Sequence, residues 1–546
     1  MHKGVLIKLS RLLIIVVVPT LCIFSVSALG EEPTQKKNAS NKFRGRRNLL
    51  AQSLVFSEVF TWITDVKTQE GLPDYPAAIN RHFGKAVSSD KNGAVALYEA
   101  FGPAPEGARL SDKFFELLEM PVPPDAGKYF QHFGAGLPVE KRRKLNDRYS
   151  ESWRQPWAEK DFPEVAQWLR DNEKVVETIV KGAMLPEYYS PLVPPVDAEG
   201  HPGGLITTLL PGIQKSRSIA RYLVSRAMLN IEKGNVEYAW RDLIACHRVG
   251  RMIGRGPTLI EYLVGAAITQ IATHGQIVFL DRVQPAVAQL AQYRKDLSNL
   301  RPVKSAVEQV VFTERMMYLD SVVQIACECI DFNDLVASPA SGFEGFATQL
   351  DMLTVDWTID WNIVMREGNR IYDRFDAAMK LKSYQARRTA MTKIEDELKL
   401  VRANVSAKGF LLAAVTEEST SEAIGKLVGN VLAASMVPSL SGVNRAYNRS
   451  VQTHENLLLA FALADWKEQH GSYPATLNDL VPDFVSKLPT DAFSETPLTY
   501  RREGNGFIFY SVGVNEIDDN GRSYDDEPKG DDLFIRLPLP EPKGKE

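Results

Sequence analysis

The chain has 546 residues, of which 44% are hydrophobic and 24% are charged, and its formal net charge is −4 at pH 7. This length is enough for two or three domains, and the composition is that of a globular protein rather than of a disordered or polytopic membrane protein. A net charge near zero argues against nucleic acid as a partner, because nucleic-acid-binding proteins carry an excess of basic residues.

The N-terminus has the pattern of an export signal. Basic residues precede an apolar run at residues 12–29, which ends in small residues. This order is typical of a signal peptide over residues 1–30, cleaved after Ala28 or after Gly30. The alternative is an uncleaved membrane anchor, since about 18 apolar residues are at the lower limit for a transmembrane helix. We therefore expect an exported protein that is periplasmic, membrane-anchored or secreted.

A basic linker and a large helical region follow. Residues 31–48 are polar and basic, which indicates a tether without packed structure. From there on, apolar residues recur at helical spacing, so we predict an α-helical domain over residues 49–437. The Pro- and Gly-rich stretch at residues 186–204 could divide this domain in two.

The periodicity predicts several long helices within this region. Two of them form a helical hairpin that reverses at Gly234. Residues 259–280 are apolar almost all round, as in a buried central helix or a membrane span. We favour the buried helix, because the glycines and Glu261 oppose insertion into a membrane. Two further amphipathic helices are predicted at residues 307–329 and 354–379.

One carboxylate pair is a candidate for catalysis. Asp356 and Asp360 lie four residues apart, which places them on one helix face beside Trp357 and Trp361. Such a pair could act as acid and base. We favour a structural interpretation, because tryptophans at this spacing pack in cores and acids near a helix start complement its dipole. The sequence contains no GxSxG, Walker or HExxH motif, so an enzyme is the less favoured class.

A stripe of arginines lies along the second helix of the hairpin. Arg241, Arg248, Arg251 and Arg255 follow one another at spacings of seven, three and four. Such a stripe can bind phosphates or acidic partners, but a solvated face with ion pairs is the favoured interpretation. A GxxxG pair at Gly425 and Gly429 lies in an apolar stretch too short to span a membrane, and we expect it to pack within its own domain.

The last hundred residues contain an ordered series of structural signals. A helix at residues 443–469 ends at Gly471, and Tyr473-Pro474 prevents its continuation. The later signals are a short helix capped by Thr476 and Asp479, a Leu488-Pro489-Thr490-Asp491 turn, a β-hairpin of residues 497–502 and 507–512, and a third strand at residues 533–537. We therefore predict a mainly α protein that ends in a small α+β domain, residues 440–546.

This C-terminal series resembles the globular domain of the type II secretion major pseudopilin. The resemblance is carried by Ala462-Leu463-Ala464-Asp465-Trp466, Gly471-Ser472-Tyr473-Pro474, Leu488-Pro489-Thr490-Asp491, Pro497-Leu498-Thr499-Tyr500 and Tyr510-Ser511-Val512-Gly513. It implies a long helix packed on an antiparallel sheet and a calcium-binding acidic loop. The whole chain also resembles exported planctomycete proteins in which a large helical region precedes the same module.

The acidic loop that corresponds to the pseudopilin calcium site is rich in aspartate. Its candidate ligands are Asp518, Asp519, Asp525, Asp526, Asp531 and Asp532. Carboxylates suit a hard cation such as Ca²⁺, which takes six to eight oxygen ligands. The alternative is a solvated acidic loop, because spacing alone does not close a coordination shell.

The expected function is structural or interactive. A pseudopilin leader and processing site do not precede Val443, so we do not expect assembly by the usual pilin helix packing. We expect the C-terminal module to serve as a cap or docking surface for a protein partner in the cell envelope. The alternative is an enzyme of the helical region that uses Asp356 and Asp360.

Overall fold

The computed structural model describes residues 50–196, 203–208, 210–327, 359–404 and 420–540. Within these ranges the protein is mainly helical and has a three-stranded antiparallel sheet near its C-terminus, which confirms the predicted fold class at this level. The predicted export signal and basic linker lie outside the described residues.

Helices form most of the described part of the chain. In order along the sequence they are α1 (Tyr75–Gly84), α2 (Gly93–Phe101), α3 (Asp112–Leu117), α4 (Val139–Ser152), α5 (Pro163–Gly182), α6 (Ile213–Glu232), α7 (Val236–Ile253), α8 (Leu259–Val283), α9 (Val287–Ser298), α10 (Arg315–Ala326), α11 (Trp361–Met379), α12 (Tyr384–Asn404), α13 (Thr420–Met436) and α14 (Leu440–His470). Three short 3₁₀ turns, Ser89–Lys91, Leu205–Thr207 and Leu477–Leu480, and a π-helical turn, Gln309–Glu314, complete the helical elements.

Helices α6, α7 and α8 pack against one another at the centre of the helical region. The chain reverses between α6 and α7 at Gly234, whose φ of 72° favours glycine, and the predicted hairpin is confirmed. Helices α7 and α8 approach closely: a Cβ on Gly265 would lie 2.5 Å from backbone atoms of Gly250 and Gly254. Glycine therefore sets the distance between these two helices.

Helix α8 is the buried central helix that its apolar pattern predicts. Its Ile268, Ala272 and Phe279 are fully buried. Among the described residues, two segments, Leu259–Val283 and Ser421–His470, are long and apolar enough to cross a membrane, and 67% of the most apolar window of each is buried inside the protein. Length and composition alone make this weak evidence for a span.

A second group of helices comprises α10, α11, α12 and α13. Gly425 and Gly429 of α13 lie against α11, as expected for a GxxxG pair that packs within its own domain. The helix predicted at residues 307–329 is present, but it begins with the π-helical turn Gln309–Glu314 before continuing as α10. The helix predicted at residues 354–379 begins only at Trp361, because Ile359 and Asp360 are not helical and Asp360 caps the helix.

The C-terminal unit has one long helix and one small sheet. Helix α14 begins at the Ser439 cap and ends at Gly471, whose φ of 78° provides the expected left-handed cap. The strands are β1 (Thr499–Glu503), β2 (Gly506–Ser511) and β3 (Leu533–Leu537), with β2 in the centre. In the antiparallel register Thr499 pairs with Tyr510, and Phe507 pairs with Leu537. The predicted hairpin and third strand are confirmed.

Helix α14 lies between the sheet and the helical region. On the sheet side, the Asn456 side chain donates to the carbonyl of Leu533 at 2.9 Å. On the other side α14 contacts α8, α9 and α12, and Phe461 lies 5.4 Å from Trp240 of α7 between ring centroids. One continuous hydrophobic core therefore includes side chains of both the helical region and the C-terminal unit.

Candidate metal centre

The acidic loop connects β2 to β3 and folds back on itself. The turn at its middle places Asn520 and Gly521 in the left-handed region, with φ of 61° and 75°. A Cβ on Gly530 would lie 2.6 Å from the Cβ of Asp519, so the two arms of the loop are in close contact. This path brings Asp519 opposite the pair of aspartates that begins the return to β3.

Three carboxylates meet where the arms touch. Asp519, Asp531 and Asp532 each offer one oxygen, and these oxygens all lie within 4.8 Å of one another. Asp531 and Asp532 are 4% and 3% exposed. A group of three acids, of which two are buried, is the type of oxygen cluster that suits a hard cation such as Ca²⁺.

One oxygen of each buried aspartate is already used by the loop backbone. Asp531 Oδ2 accepts from the amides of Val514 and Asn515, both at 3.1 Å. Asp532 Oδ2 accepts from the amide of Gly521 at 2.7 Å. Within the described residues, the Oδ1 atoms of Asp531 and Asp532 are buried and have no hydrogen-bond partner. Such oxygens are costly to bury unless a partner compensates them.

The electrostatics of the three acids differ. Burial raises the pKa of Asp532 to about 6, and it also raises the pKa of Asp531. The hydrogen bond from the Asn515 side chain lowers the pKa of Asp519. A bound cation would favour the charged form of all three groups, because opposite charge nearby stabilises a carboxylate.

Two arginines lie near the triad. The Arg522 guanidinium is 3.8 Å from Asp519 Oδ1, and Arg449 of α14 interacts electrostatically with Asp531. They balance part of the negative charge, but neither donates a hydrogen bond to the two unpaired Oδ1 atoms. A cation would therefore complete the site rather than duplicate an existing contact.

The other three predicted ligands lie outside the triad. Asp518 accepts from the Tyr510 hydroxyl at 2.9 Å and from the amide of Asn520 at 2.8 Å. Asp526 accepts from the amide of Ser523 at 2.7 Å, and Asp525 is exposed. Asp518 and Asp526 thus shape the turns of the loop. The sequence could not separate them from the three acids of the triad, because all six acids lie in one short segment.

A buried aspartate outside the loop has a structural role that the sequence pattern did not assign. Asp491 ends the Leu-Pro-Thr-Asp turn and is 2% exposed. Its two oxygens accept from the amides of Phe493 and Val512 at 2.8 and 2.7 Å and from the Ser511 hydroxyl at 2.9 Å. Asp491 thus joins the turn to the end of β2. In the sequence, the Leu-Pro-Thr-Asp turn motif was the signal that could have identified this role.

The candidate catalytic pair is only half described. Asp360 is the N-cap of α11, where its Oδ1 accepts from the amides of Asn362 and Ile363 at 3.0 and 3.4 Å. This agrees with the favoured interpretation of an acid at a helix start. The prediction that both acids project from one helix face is wrong for Asp360, because this residue precedes the helix; Asp356 lies outside the described residues.

The arginine stripe is only partly a solvated face with ion pairs. Arg241 does form ion pairs, with Glu177 at 2.9 Å and Asp242 at 3.3 Å. Arg248 instead contacts the Met184 sulfur. For Arg251 the expectation is wrong: its side chain turns inward and is 8% exposed. The arginines therefore do not form one solvated stripe, because Arg241 lies at the surface and Arg251 is buried.

Comparison of the chain with known proteins identified no similar protein. No protein-family model, no curated protein and no solved structure matches the chain.

Proposed function

We propose that this chain is an exported envelope protein with a structural or interaction role, and that its C-terminal unit is a pseudopilin-like docking module stabilised by calcium. The observation that carries the proposal is the meeting of Asp519, Asp531 and Asp532 with two buried oxygens unpaired among the described residues. The module's order of long helix, hairpin, acidic loop and third strand further supports it.

The acidic loop also supplies a docking surface. Ile517 and Tyr524 belong to this loop and are 62% and 45% exposed. Exposed apolar side chains that a loop holds in fixed positions are suited to contact a protein partner. A cation held by the triad would fix the loop, and with it the positions of both side chains. In this proposal calcium orders the surface and the partner binds the ordered form.

Calcium should raise the melting temperature of the full chain, and chelator should lower it. A ligand present at one hundred times its dissociation constant stabilises the state that binds it by about 2.7 kcal/mol. The measurement is calorimetry with CaCl₂, with EDTA and with MgCl₂. Mg²⁺ should have a smaller effect, because it requires near-octahedral geometry and gives up water reluctantly.

Matched variants locate the effect. Asp532→Asn should abolish most of the calcium response, whereas Asp525→Asn, in the same loop but outside the triad, should retain it. An unchanged melting temperature in CaCl₂ and EDTA would remove calcium from the proposal. Docking is tested separately: Ile517→Glu should lose a partner that the unchanged protein captures from envelope extract, and equal capture by both would contradict the docking role.

A further inference from the structure

A buried polar cluster lies where α7, α8 and α14 meet. It comprises His247 and Arg251 of α7, Tyr262 and Gln276 of α8, and His454 of α14. The first four are at most 8% exposed. His247 Nε2 lies 2.7 Å from Gln276 Oε1, and Arg251 interacts electrostatically with both histidines and with Tyr262. The cluster is far from the acidic loop in sequence and has no part in the proposed calcium site.

The guanidinium of Arg251 presents an unused hydrogen-bonding edge. Within the described residues, its Nε and Nη2 are buried and have no hydrogen-bond partner. Arg226 is an example of the same guanidinium edge bound to a carboxylate: its Nε and Nη2 donate to the two oxygens of Asp242 at 2.6 and 2.8 Å. Two parallel hydrogen bonds of this kind match the two oxygens of a carboxylate.

The neighbouring unpaired atoms also lack an acceptor. Among the described residues, the Tyr262 hydroxyl and the Gln276 amide nitrogen have no hydrogen-bond partner, and each can donate. Within the described part of the chain, the Nδ1 atoms of His247 and His454 are likewise buried and unpaired. Nδ1 of His247 is an acceptor, because Nε2 of this neutral ring donates to Gln276 Oε1, whereas Nδ1 of His454 donates or accepts according to the tautomer. A set dominated by donors around a buried cation fits an anion with exposed oxygens.

The net charge of the cluster indicates the charge of the ligand. Burial lowers the pKa of Arg251 to about 10, so it remains a cation at neutral pH. Burial lowers the pKa of His454 to about 4, and it places that of His247 well below its usual range, with the Arg251 charge adding to both. The cluster thus has one positive charge. A monoanion neutralises it, whereas a dianion would leave a negative charge buried.

We propose that the Nε and Nη2 edge of Arg251 binds a small monocarboxylate between α7, α8 and α14, with the Tyr262 hydroxyl donating a further hydrogen bond. Water could satisfy the hydrogen bonds but would leave the buried charge without a counterion. The ligand therefore acts as the counterion that the fold does not supply among its described residues.

The test uses acetate as the probe with the full chain. After dialysis into chloride, sodium acetate should raise the melting temperature in a saturable way, and sodium chloride at the same ionic strength should not. In Arg251→Met the acetate response should be lost, and in Arg248→Met, on the same helix, it should be retained. Equal shifts in acetate and chloride, or an undiminished acetate response in Arg251→Met, would overturn the proposal.

A second variant and a second probe keep the test decisive. If Arg251→Met does not fold, Tyr262→Phe, which removes only the hydroxyl, should raise the acetate concentration needed for half of the shift by about tenfold. An unchanged concentration would then overturn the site. Sodium phosphate should shift the melting temperature less than acetate, and an equal or larger shift would overturn the monocarboxylate assignment. Neither outcome depends on calcium, so this proposal and the docking module fail independently.

Discussion

At the scale of single residues, polar side chains in this protein mostly hold chain ends and turns. Glu261 shows this well: its Oε2 accepts from the amide and hydroxyl of Thr258 at 3.0 and 2.8 Å, which forms a capping box at the start of α8. Thr258 and Glu261 have the spacing of that motif, so the cap was predictable from the sequence. The burial of Glu261 beside Tyr188 was not, because that contact joins distant segments.

Replacement of Glu261 by glutamine should change how stability depends on pH. Burial raises the pKa of Glu261 from 4.5 to about 7, so the folded state binds the proton more tightly than the unfolded state. In the unchanged protein, the stabilisation that comes from this tighter proton binding is fully present below about pH 4.5. It is lost as the pH rises through 7, which lowers the free energy of unfolding by about 3 kcal/mol. Glutamine keeps the cap without titrating. Urea denaturation at pH 5 and pH 8 should therefore show Glu261→Gln gaining stability relative to the unchanged protein at the higher pH.

This prediction is decided by how the free energy of unfolding of the two proteins depends on pH. Parallel dependence of the free energy of unfolding on pH in the two proteins would contradict it, because the difference between them isolates the titration of this one carboxyl.

At the scale of elements, sequence patterns predicted helices and strands well where the signal is local. Helix α14, the β-hairpin and β3 follow from periodicity, capping residues and a glycine turn. The π-helical turn Gln309–Glu314 was not predicted, because one extra residue in a turn leaves the apolar pattern nearly unchanged. The sequence predicted the acidic loop but not which of its aspartates form the triad, since the path through Asn520 and Gly521 decides which acids meet.

Substitution of Gly265 by alanine should destabilise the α7–α8 pair. Alanine is the better helix former by about 1 kcal/mol, so propensity alone would stabilise the protein. The added Cβ, however, would lie 2.5 Å from the backbone of Gly250 and Gly254, which cannot move as a side chain can. We expect a net loss of about 1 to 3 kcal/mol in the free energy of unfolding, measured by urea denaturation. A gain in stability would show that the helices separate freely.

At the scale of the whole molecule, the helical region and the C-terminal unit share a core. Arg294 of α9 donates to Asp465 of α14 and to the carbonyl of Phe484, which joins α9 to the unit at two points. The Pro, Gly and Ser content near residue 437 predicts a boundary there, and that division stays a prediction. Composition marks a connection between elements but gives no information on which apolar faces meet after it.

Removal of the C-terminal unit should leave the helical region unable to keep its native core. A chain that ends at residue 437 would uncover Trp240, whose ring lies against Phe461 of α14, and the faces of α8 and α9 that α14 contacts. We expect strong binding of the dye ANS and loss of the near-ultraviolet circular dichroism signal, as in states with disrupted packing. The full chain should melt in one calorimetric transition. A truncated chain that melts sharply and does not bind ANS would show that the helical region folds alone.

The position of α14 also determines when the protein can mature during its synthesis. Arg294 and Asp465 are 171 residues apart, so a ribosome produces the arginine long before the aspartate that pairs with it. Contacts between distant segments slow folding and leave apolar surface uncovered in the meantime. Until the last segment of the chain is synthesised, the faces of α8 and α9 that α14 contacts therefore stay uncovered. A chain cut short by premature termination would keep this apolar surface exposed, and we expect it to aggregate or to be degraded more readily than the complete molecule.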